Sequence, residues 1–443
     1  MKLQIERIRV AIQSGLFSSL EIQGWRQFDY VKLDLHPKLT ILTGANGCGK
    51  TTLLNLFSRH FGYQAPILAT PKLSETGVVS YALDLFKSAA WKMFGREETI
   101  SQPVNHIGKM QYTDGSASPI VVPNGNSVQY QLQFQSQQAV AGVNIASHRP
   151  VSNYQPVANI PVNAMTPSAA YSSYFTETVN RFQGGHTGYS PTYRMKEALI
   201  SMATFGPGNN RIQRNVAADE ALSGFEAILR KVLPKTLGFQ SILIRQTDIV
   251  LSTASGEFLL DAASGGVMAL IDICWQIHLY SLNNTHFVVT MDEPENHLHP
   301  SMQRSLMGDL ITAFPRVQFI VATHSPFVVS STRDSTVYAL RYFVDETKAL
   351  TERRRIYSQK LDLVEKAGTA GEILREVLGV PVTAPEWVET ELNNIVRQYV
   401  GTPITKERLA NLKTDLINAG LGEYFSDALA GLAKPNDISS QIR

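Results

Sequence analysis

The sequence predicts an α/β fold with a mixed, mainly parallel sheet, an antiparallel β subdomain, a helical lobe and a C-terminal helical module. Three observations support this prediction. An apolar strand runs directly into a glycine-rich loop and then a helix at residues 38–61. Two later apolar strands end near Asp292 and Ala322, each followed by polar residues. From residue 346 onward the chain becomes charged and has the spacing of amphipathic helices.

Composition narrows the class of protein. The chain has 443 residues, 44% of them hydrophobic and 18% charged, which is enough for a large core in two or three structural units. The net charge of +2 neither requires nor excludes nucleic acid. Two distant cysteines, Cys48 and Cys274, argue against a disulfide framework. The N-terminus lacks the apolar core of a signal peptide, and the apolar run at 265–280 is too short to span a bilayer. We therefore expect a cytoplasmic protein with no membrane segment.

The predicted elements follow in order. Short strands fill residues 16–43, a helix covers 50–61, and the region 99–146 has the turn signals of antiparallel strands. A Pro-, Ser- and Tyr-rich stretch, 147–192, predicts an irregular insertion. Residues 50–265 contain no heptad run, so we expect no long coiled-coil arm in that range. Further helices are predicted at 191–204, 217–232, 267–280, 301–314, 360–366, 369–378, 386–399 and 406–419. We place the first domain at 1–345 and the C-terminal helical module at 346–443.

The glycine-rich loop is a complete G-x-x-x-x-G-K-[ST] match at residues 44–51, here named the phosphate loop. Glycines let backbone N–H groups turn inward around phosphates, Lys50 neutralises the terminal phosphates, and the Thr51 hydroxyl can bind Mg²⁺. The plainer alternative is a glycine turn before a helix; the strand before it and the helix after it favour an ATP site. The candidate ATP-binding residues are Gly44, Asn46, Gly47, Cys48, Gly49, Lys50, Thr51 and Thr52.

Two more strand ends carry candidate chemistry. The strand at 287–291 leads to Asp292, suited to Mg²⁺, and to Glu293, which can polarise an attacking water. The strand at 319–322 leads to His324, which can contact a γ-phosphate. A solvated turn and a structural histidine are the plain alternatives. One helix separates the two strands, so a crossover brings both ends to the same edge of a parallel sheet.

A fourth candidate is Ala263-Ser264-Gly265-Gly266, here named the signature segment, at the start of the helix at 267–280. A serine hydroxyl and a glycine-opened helix N-terminus together favour anion binding. The same residues are also common helix caps, so this segment is informative only as a member of the ordered set.

The ordered set resembles ABC-type ATPase heads, with a Walker A loop, an S-G-G signature, a Walker B pair and a switch histidine. The wording D-E-P-E-N-H-L-H-P at 292–300 and A-T-H-S-P at 322–326 is more particular. It is similar to prokaryotic ATPases related to the overcoming-lysogenization-defect and SMC-like proteins, including the ATPase subunits of Septu-type and retron-associated anti-phage systems. The resemblance covers roughly residues 17–345.

This resemblance implies a site shared between subunits. Ser264, Gly265 and Gly266 of one subunit would contact the γ-phosphate held by Lys50 of another, and residues 295–299 would line the dimer seam. Arg26 would stand near the nucleotide base, with a surface cation as the alternative. A Q-loop glutamine is not identifiable, and residues 147–150 are the nearest equivalent. A zinc site at Glu295, His297 and His299 is a weaker alternative to the dimer seam.

The function implied is an ATP- and Mg²⁺-dependent ATPase that forms a homodimer or higher homo-oligomer and regulates a separate effector protein in anti-phage defence. The effector is expected to be a nuclease on another chain, since the sequence has neither an HNH-like nor a Toprim-like pattern. Nucleic acid is a further candidate ligand, and no membrane contact is expected. The alternatives are a compact DNA-repair ATPase and, less favoured, an ABC transporter energiser.

Overall fold

The computed structural model describes residues 15–73, 79–83, 85, 105–123, 127–147, 154–159, 164–185, 187–344, 354–379, 385–400 and 405–433. The chain divides into two compact units, 1–373 and 374–443.

The first unit contains most of the described elements. Its strands are β1 (Phe17–Trp25), β2 (Phe28–Asp34), β3 (Leu39–Gly44), β4 (Ile67–Leu68), β5 (Thr70–Leu73), β6 (Val79–Ala82), β7 (His106–Tyr112), β8 (Ala117–Val121), β9 (Gln129–Tyr130), β10 (Gln133–Phe134), β11 (Gly142–Ile145), β12 (Phe239–Arg245), β13 (Asp248–Thr253), β14 (Gly256–Leu259), β15 (Phe287–Asp292), β16 (Val317–Ala322), β17 (Thr336–Val344) and β18 (Arg354–Lys360). Its helices are α1 (Lys50–Ser58), α2 (Pro167–Phe182), α3 (Pro191–Phe205), α4 (Val216–Val232), α5 (Gly265–Ser281), α6 (Pro300–Ala313), α7 (Pro326–Val329), α8 (Leu363–Lys366) and α9 (Ala370–Glu372).

An eleven-stranded sheet organises this unit, in the order β10-β8-β7-β1-β2-β18-β17-β3-β16-β15-β11. The run from β17 to β11 is parallel throughout. The strands β1, β2, β7, β8 and β10 pair antiparallel and form the β subdomain. Because β3, β16 and β15 are parallel neighbours, the residues that follow them meet at one edge of the sheet.

The central strands of the sheet are buried on both faces. Every residue of β3 and β16 is buried, as expected for parallel strands covered on both faces. Helix α1 contacts β15 and β16 and buries Leu53, Leu54, Leu56 and Phe57. Helices α2 to α5 pack on one another as the predicted helical lobe, and the three-stranded sheet β12-β13-β14 contacts α3 and α4.

Three details differ from the sequence-based expectations. The insertion 147–192 contains a regular helix, α2, whose Thr166 side chain accepts a hydrogen bond from the Ala169 amide while proline opens the first turn. Strand β11, which we grouped with the antiparallel region, pairs parallel with β15. Part of that region, 99–104, and the turn at 124–126 lie outside the described residues.

The third difference concerns the boundary of the first unit. We expected helices beyond 345, yet β18 pairs antiparallel with β17 and parallel with β2. This strand joins the two halves of the large sheet, so the first unit extends through residue 373.

The second unit is helical, as expected for the end of the chain. It contains α10 (Glu386–Arg397), α11 (Lys406–Asn418) and α12 (Phe425–Ala433). Its core consists of Val388, Ile395, Val396, Leu412, Leu416, Leu421 and Ala428. The helix α12 was not predicted. The predicted helix 369–378 is present as α9 followed by a π-helical turn, Ile373–Val377. Among the helices that the structure describes, none is both long and apolar enough to cross a membrane.

Candidate nucleotide site

The phosphate loop connects β3 to α1 at the edge where the parallel strands end. Gly44, Gly47 and Gly49 have φ values of 142°, 77° and 87°, a backbone region that favours glycine. A Cβ atom at Gly49 would lie 2.4 Å from Cζ of Phe28, and one at Gly44 would lie 2.5 Å from the carbonyl oxygen of Leu340. Both positions therefore require glycine, for conformation and for space.

Lys50 lies inside the loop. Its side chain is 5% exposed, and Nζ donates hydrogen bonds to the carbonyl oxygens of Gly44 at 3.0 Å and Ala45 at 3.2 Å. Burial lowers the pKa of this ammonium, with the neighbouring Cys48 and the carboxylates Glu293 and Asp292 acting in the opposite direction. The loop thus holds a single buried cation where the sequence predicts the terminal phosphates.

Cys48 is fully buried, with Sγ 3.7 Å from Nζ of Lys50. Burial raises the pKa of its thiol more strongly than the neighbouring lysine lowers it. A buried, protonated thiol is a packing group, which does not favour a redox role at this position.

The two candidate Mg²⁺ ligands lie in contact. The Thr51 hydroxyl, at the start of α1, donates a 2.9 Å hydrogen bond to Oδ2 of Asp292, the last residue of β15. A hydroxyl and a carboxylate are hard oxygen donors of the kind that Mg²⁺ prefers. These two residues therefore fit a magnesium ion at this place in both type and proximity.

Glu293 and His324 follow β15 and β16 and face each other. Nε2 of His324 lies 3.6 Å from Oε1 of Glu293. Glu293 has a positive φ of 45°, and its amide donates to the Ala322 carbonyl at 2.8 Å, which fixes the turn. The side-chain amide of Asn296 donates to Oε2 of Glu293 at 3.1 Å. Burial, and then the nearby Lys50 charge, lower the pKa of His324, so its imidazole is neutral near pH 7.

Glu295 differs from the expectation that it lines a dimer seam. Its side chain is 8% exposed and turns inward to residues 323–325, here named the switch loop. His299 caps α6, where its Nδ1 accepts a hydrogen bond from the Ser301 amide. In the described residues no group of three or more His, Cys, Asp or Glu side chains could hold a metal ion. The zinc alternative is therefore not supported there.

The signature segment caps α5. The Ser264 hydroxyl accepts a 3.5 Å hydrogen bond from the Val267 amide. A Cβ atom at Gly266 would lie 2.8 Å from the carbonyl oxygen of His297, so this glycine allows close approach of the two backbones. Within the described part of the chain, Ser264 makes no hydrogen bond to its own phosphate loop.

Arg26 stands in the tight turn between β1 and β2, with a positive φ of 54°. Its carbonyl accepts a 3.0 Å hydrogen bond from Nη1 of Arg355, and its guanidinium lies 5.9 Å from the Trp25 ring centroid. The next residue, Gln27, donates to the Gly47 carbonyl at 3.4 Å. The turn is thus beside the phosphate loop, a position compatible with the role expected for Arg26.

Known families and proteins match this chain. An AAA domain model matches residues 19–138, and a second model, described as an AAA domain of the putative AbiEii toxin and type IV toxin–antitoxin system, matches 259–330. Septu protein PtuA from Bacillus thuringiensis is 21% identical over 395 residues, covering 84% of this chain and 87% of PtuA. The Retron Ec83 probable ATPase from Escherichia coli is 20% identical over 385 residues, covering 73% of this chain and 71% of that protein.

The chain is thus similar along most of its length to PtuA and to the Retron Ec83 probable ATPase. Its first unit is an α/β fold built on a large mixed sheet, with two segments that match AAA domain models, and its second unit is helical. The SMC head domain from Thermotoga maritima aligns with this chain at a TM-score of 0.39 and 11% identity, covering 79% of this chain and 100% of that domain.

Sequence reasoning placed Asn296 and Glu295 on a dimer seam and did not predict the contacts that these two residues make inside the site. The side-chain amide of Asn296 donates both to Oε2 of Glu293 and, at 3.4 Å, to the Ser147 carbonyl. Asn296 therefore connects Glu293 to the segment after β11. That segment is the one we compared with a Q-loop; residues 148–150 lie outside the described residues. The side chain of Glu295 makes its contacts to the switch loop. Both residues lie within three positions of Glu293 in the sequence, and that position was the available signal.

A cavity of about 320 Å³ adjoins the site on the side of the helical lobe. Thr51 and Asp292 form one side of this cavity, and residues of α2 and α5 form another. Asp272 of α5 accepts hydrogen bonds there from Tyr174 and from Gln276.

Proposed function

We propose that this chain binds and hydrolyses ATP with Mg²⁺, assembles through its ATPase heads, and regulates a separate effector protein, a nuclease, in anti-phage defence. The observation that carries the proposal is the meeting of Lys50, the Thr51–Asp292 pair and the Glu293–His324 pair at one sheet edge. A phosphate cradle, a magnesium-type donor pair and a candidate base thus occupy consecutive positions along a single edge.

The chain's own groups account for phosphoryl transfer to water in the proposed reaction. The Lys50 ammonium neutralises the terminal phosphates, and Gly44, Gly47 and Gly49 let backbone N–H groups approach them. Mg²⁺ held near Thr51 and Asp292 would neutralise charge on the phosphate oxygens. The Glu293 carboxylate orients the attacking water and accepts its proton. Neutral His324 can donate one hydrogen bond to the γ-phosphate.

The signature segment supports a site completed by a second subunit. Ser264 lies at the N-terminus of α5, a 17-residue helix whose dipole and free amide groups favour an anion. Since Ser264 makes no hydrogen bond to the phosphate loop of its own chain within the described residues, we propose that it serves the loop of a partner. The assembly would be a homodimer or a higher oligomer built from such pairs.

The defence role is proposed from the relatives. One is a Septu protein and others are retron ATPases; the Retron Vc95 probable ATPase from Vibrio cholerae is 42% identical over 48 residues, covering 11% of this chain and 9% of that protein. We propose that this chain likewise works beside an effector encoded by a neighbouring gene, in the cytoplasm.

The test is a measurement of phosphate release from Mg²⁺-ATP by the purified chain, together with co-purification of the protein encoded next to it. We expect turnover that Glu293→Gln removes, and co-purification of a nuclease. Phosphate release that persists unchanged in Glu293→Gln would contradict the assigned chemistry. A permease or a repair factor as the co-purifying neighbour would contradict the defence role.

A further inference from the structure

The buried carboxylate of Glu295 is not used in the proposed reaction. Its Oε1 atom accepts three hydrogen bonds, from the Thr323 hydroxyl at 2.5 Å, the His324 amide at 3.0 Å and the Ser325 amide at 3.2 Å. All three donors belong to the switch loop. One oxygen atom of Glu295 is therefore hydrogen-bonded to all three residues of the turn that contains His324.

The other carboxylate oxygen, Oε2, is buried and has no hydrogen-bond partner among the described groups. In the same part of the chain no cation forms an ion pair with Glu295, and burial raises the pKa of its carboxyl. Burying a carboxyl without a cation is costly, so a neutral side chain would serve simple packing better. We infer that Glu295 serves to hold the switch loop through these hydrogen bonds, because packing alone does not account for a buried carboxyl here.

Glu295 also lies between the reacting groups. Two residues before it, Oε1 of Glu293 lies 3.6 Å from Nε2 of His324. Two residues after it, the carbonyl of His297 lies against Gly266 of the signature segment. The short segment 293–297 therefore contacts the switch loop through Glu293 and Glu295, and the signature segment through His297.

We propose that Glu295 is a positioning residue that sets the place of His324 relative to Glu293 and ties the switch loop to the segment that contacts Gly266. This proposal rests on the proposed function, because it assigns a role within the same site. A displacement of about 1 Å in such a site lowers rates by about 10²-fold, so a clamp on the switch loop acts on turnover more than on nucleotide binding.

Glu295→Ala and Glu295→Gln separate positioning from charge. The Gln carbonyl can accept the same three hydrogen bonds, whereas Ala accepts none. We expect Glu295→Ala to lower kcat by about 10²-fold with little change in ATP affinity, because the phosphate loop is untouched. Glu295→Gln should keep a kcat at least about tenfold above that of Glu295→Ala. Glu220→Ala, at an exposed carboxylate on α4, is the matched control.

A second measurement does not depend on turnover. In the nucleotide-free protein burial and the nearby Lys50 charge lower the pKa of His324 from its ordinary value. Loss of the Glu295 hydrogen bonds should loosen the loop and move the His324 titration, followed by NMR of the imidazole, toward that ordinary value in Glu295→Ala and not in Glu295→Gln. If Glu295→Ala does not fold, Thr323→Val removes one of the three donors and should shift kcat and the titration in the same directions.

The outcomes are distinct. Wild-type kcat and an unchanged His324 titration in Glu295→Ala would overturn the proposal while leaving the ATPase assignment intact. Equal losses in the Gln and Ala variants would also overturn it, because charge and not hydrogen-bond geometry would then be decisive. Absence of turnover in the wild-type protein, with the His324 titration still shifted in Glu295→Ala, would reject the proposed function and retain the clamp as a structural fact.

Discussion

His324 and Glu293 face each other across the ends of two neighbouring strands, with Nε2 of the imidazole 3.6 Å from Oε1 of the carboxylate. This separation is longer than a hydrogen bond, and the imidazole is neutral near pH 7 because burial and Lys50 lower its pKa. The pair is therefore not a closed ion pair. We propose that the attacking water binds to Glu293 and that a γ-phosphate oxygen binds to His324, beside this contact.

Glu293→Gln should keep ATP binding and lose turnover. The substitution preserves size and hydrogen bonding to Asn296 but removes the proton acceptor, so kcat should fall by roughly 10²- to 10⁴-fold. Phosphate release and binding of a fluorescent ATP analogue, measured on the same preparation, check both parts. Glu220→Gln, an exposed change on α4, is the control. A parallel loss of binding would indicate a structural role for Glu293.

Lys50→Ala should weaken ATP binding itself. The substitution removes the buried cation of the phosphate loop, and a hydrogen bond to a charged group contributes about 1.5–3 kcal/mol, so the Kd should rise by roughly 10- to 150-fold. The shift of Tm on adding ATP is a suitable readout, with Lys231→Ala on the surface of α4 as control. An ATP-induced shift equal to that of wild type would remove Lys50 from the binding site.

Ser264→Arg tests the shared site. This variant should bind ATP on its own phosphate loop yet fail to hydrolyse it, because the bulky side chain blocks the contact with the partner. Mixed with Lys50→Ala protein, it should recover roughly a quarter of wild-type activity, since half of randomly mixed dimers are hetero-dimers and each has one intact site. A mixture as inactive as its two parents would argue against independent two-subunit sites.

Glu295→Gln should change how stability depends on pH. The carboxyl has an ordinary pKa of 4.5 when unfolded and a higher pKa when folded, so in the range above 4.5 the folded chain retains a proton that the unfolded chain releases. Stability from this group is therefore lost as pH rises through that range. Urea unfolding from pH 5 to pH 8 should show the variant gaining stability relative to wild type, whereas Glu220→Gln should follow wild type throughout.

Truncation should depend on where the chain is cut. A chain ending at Ile373 keeps the first compact unit and should fold and bind ATP. A chain ending at Gln359 loses the end of β18 and also Lys366, whose Nζ donates to the carbonyls of Arg333 and Ser335. It should unfold at lower urea. If residues 374–443 dock the effector, the chain ending at Ile373 should no longer bind it. If that chain still binds the effector, the docking surface lies in the first unit, and residues 147–192 are the next candidate.

The phosphate loop and the strand-end residues were predictable because their chemistry needs fixed residue types at fixed spacing. The proximity of Thr51 and Asp292 could be expected once β3 and β15 were recognised as strands of one parallel sheet whose ends meet at the same edge. Strand β18 could not be recognised in the same way, since Arg354-Arg355-Ile356-Tyr357 lies in a charged stretch and becomes a strand only by pairing with β17 and β2. Tertiary contacts decided that segment.

The inward turn of Glu295 was also beyond sequence reasoning. Glutamate usually lies on the protein surface. The motif D-E-P-E at 292–295 does not reveal that Glu295 is buried while Glu293 is partly exposed. The orientation follows from the positive φ of Glu293, which turns the chain back toward the switch loop. A backbone conformation of this kind is not visible in the residue pattern.

The position of β18 has a consequence for synthesis. Strand β2, near the start of the chain, hydrogen-bonds with β18, and the Lys32 amide donates to the Ser358 hydroxyl across a sequence separation of 326 residues. The two halves of the sheet therefore cannot join until the ribosome has released almost the whole first unit, at least about 15 s after β2 emerges at typical elongation rates. Until then the edges of β2 and β17 that β18 will cover stay open to other strands. Nascent chains that end before residue 360 should therefore aggregate most readily and depend most on chaperones.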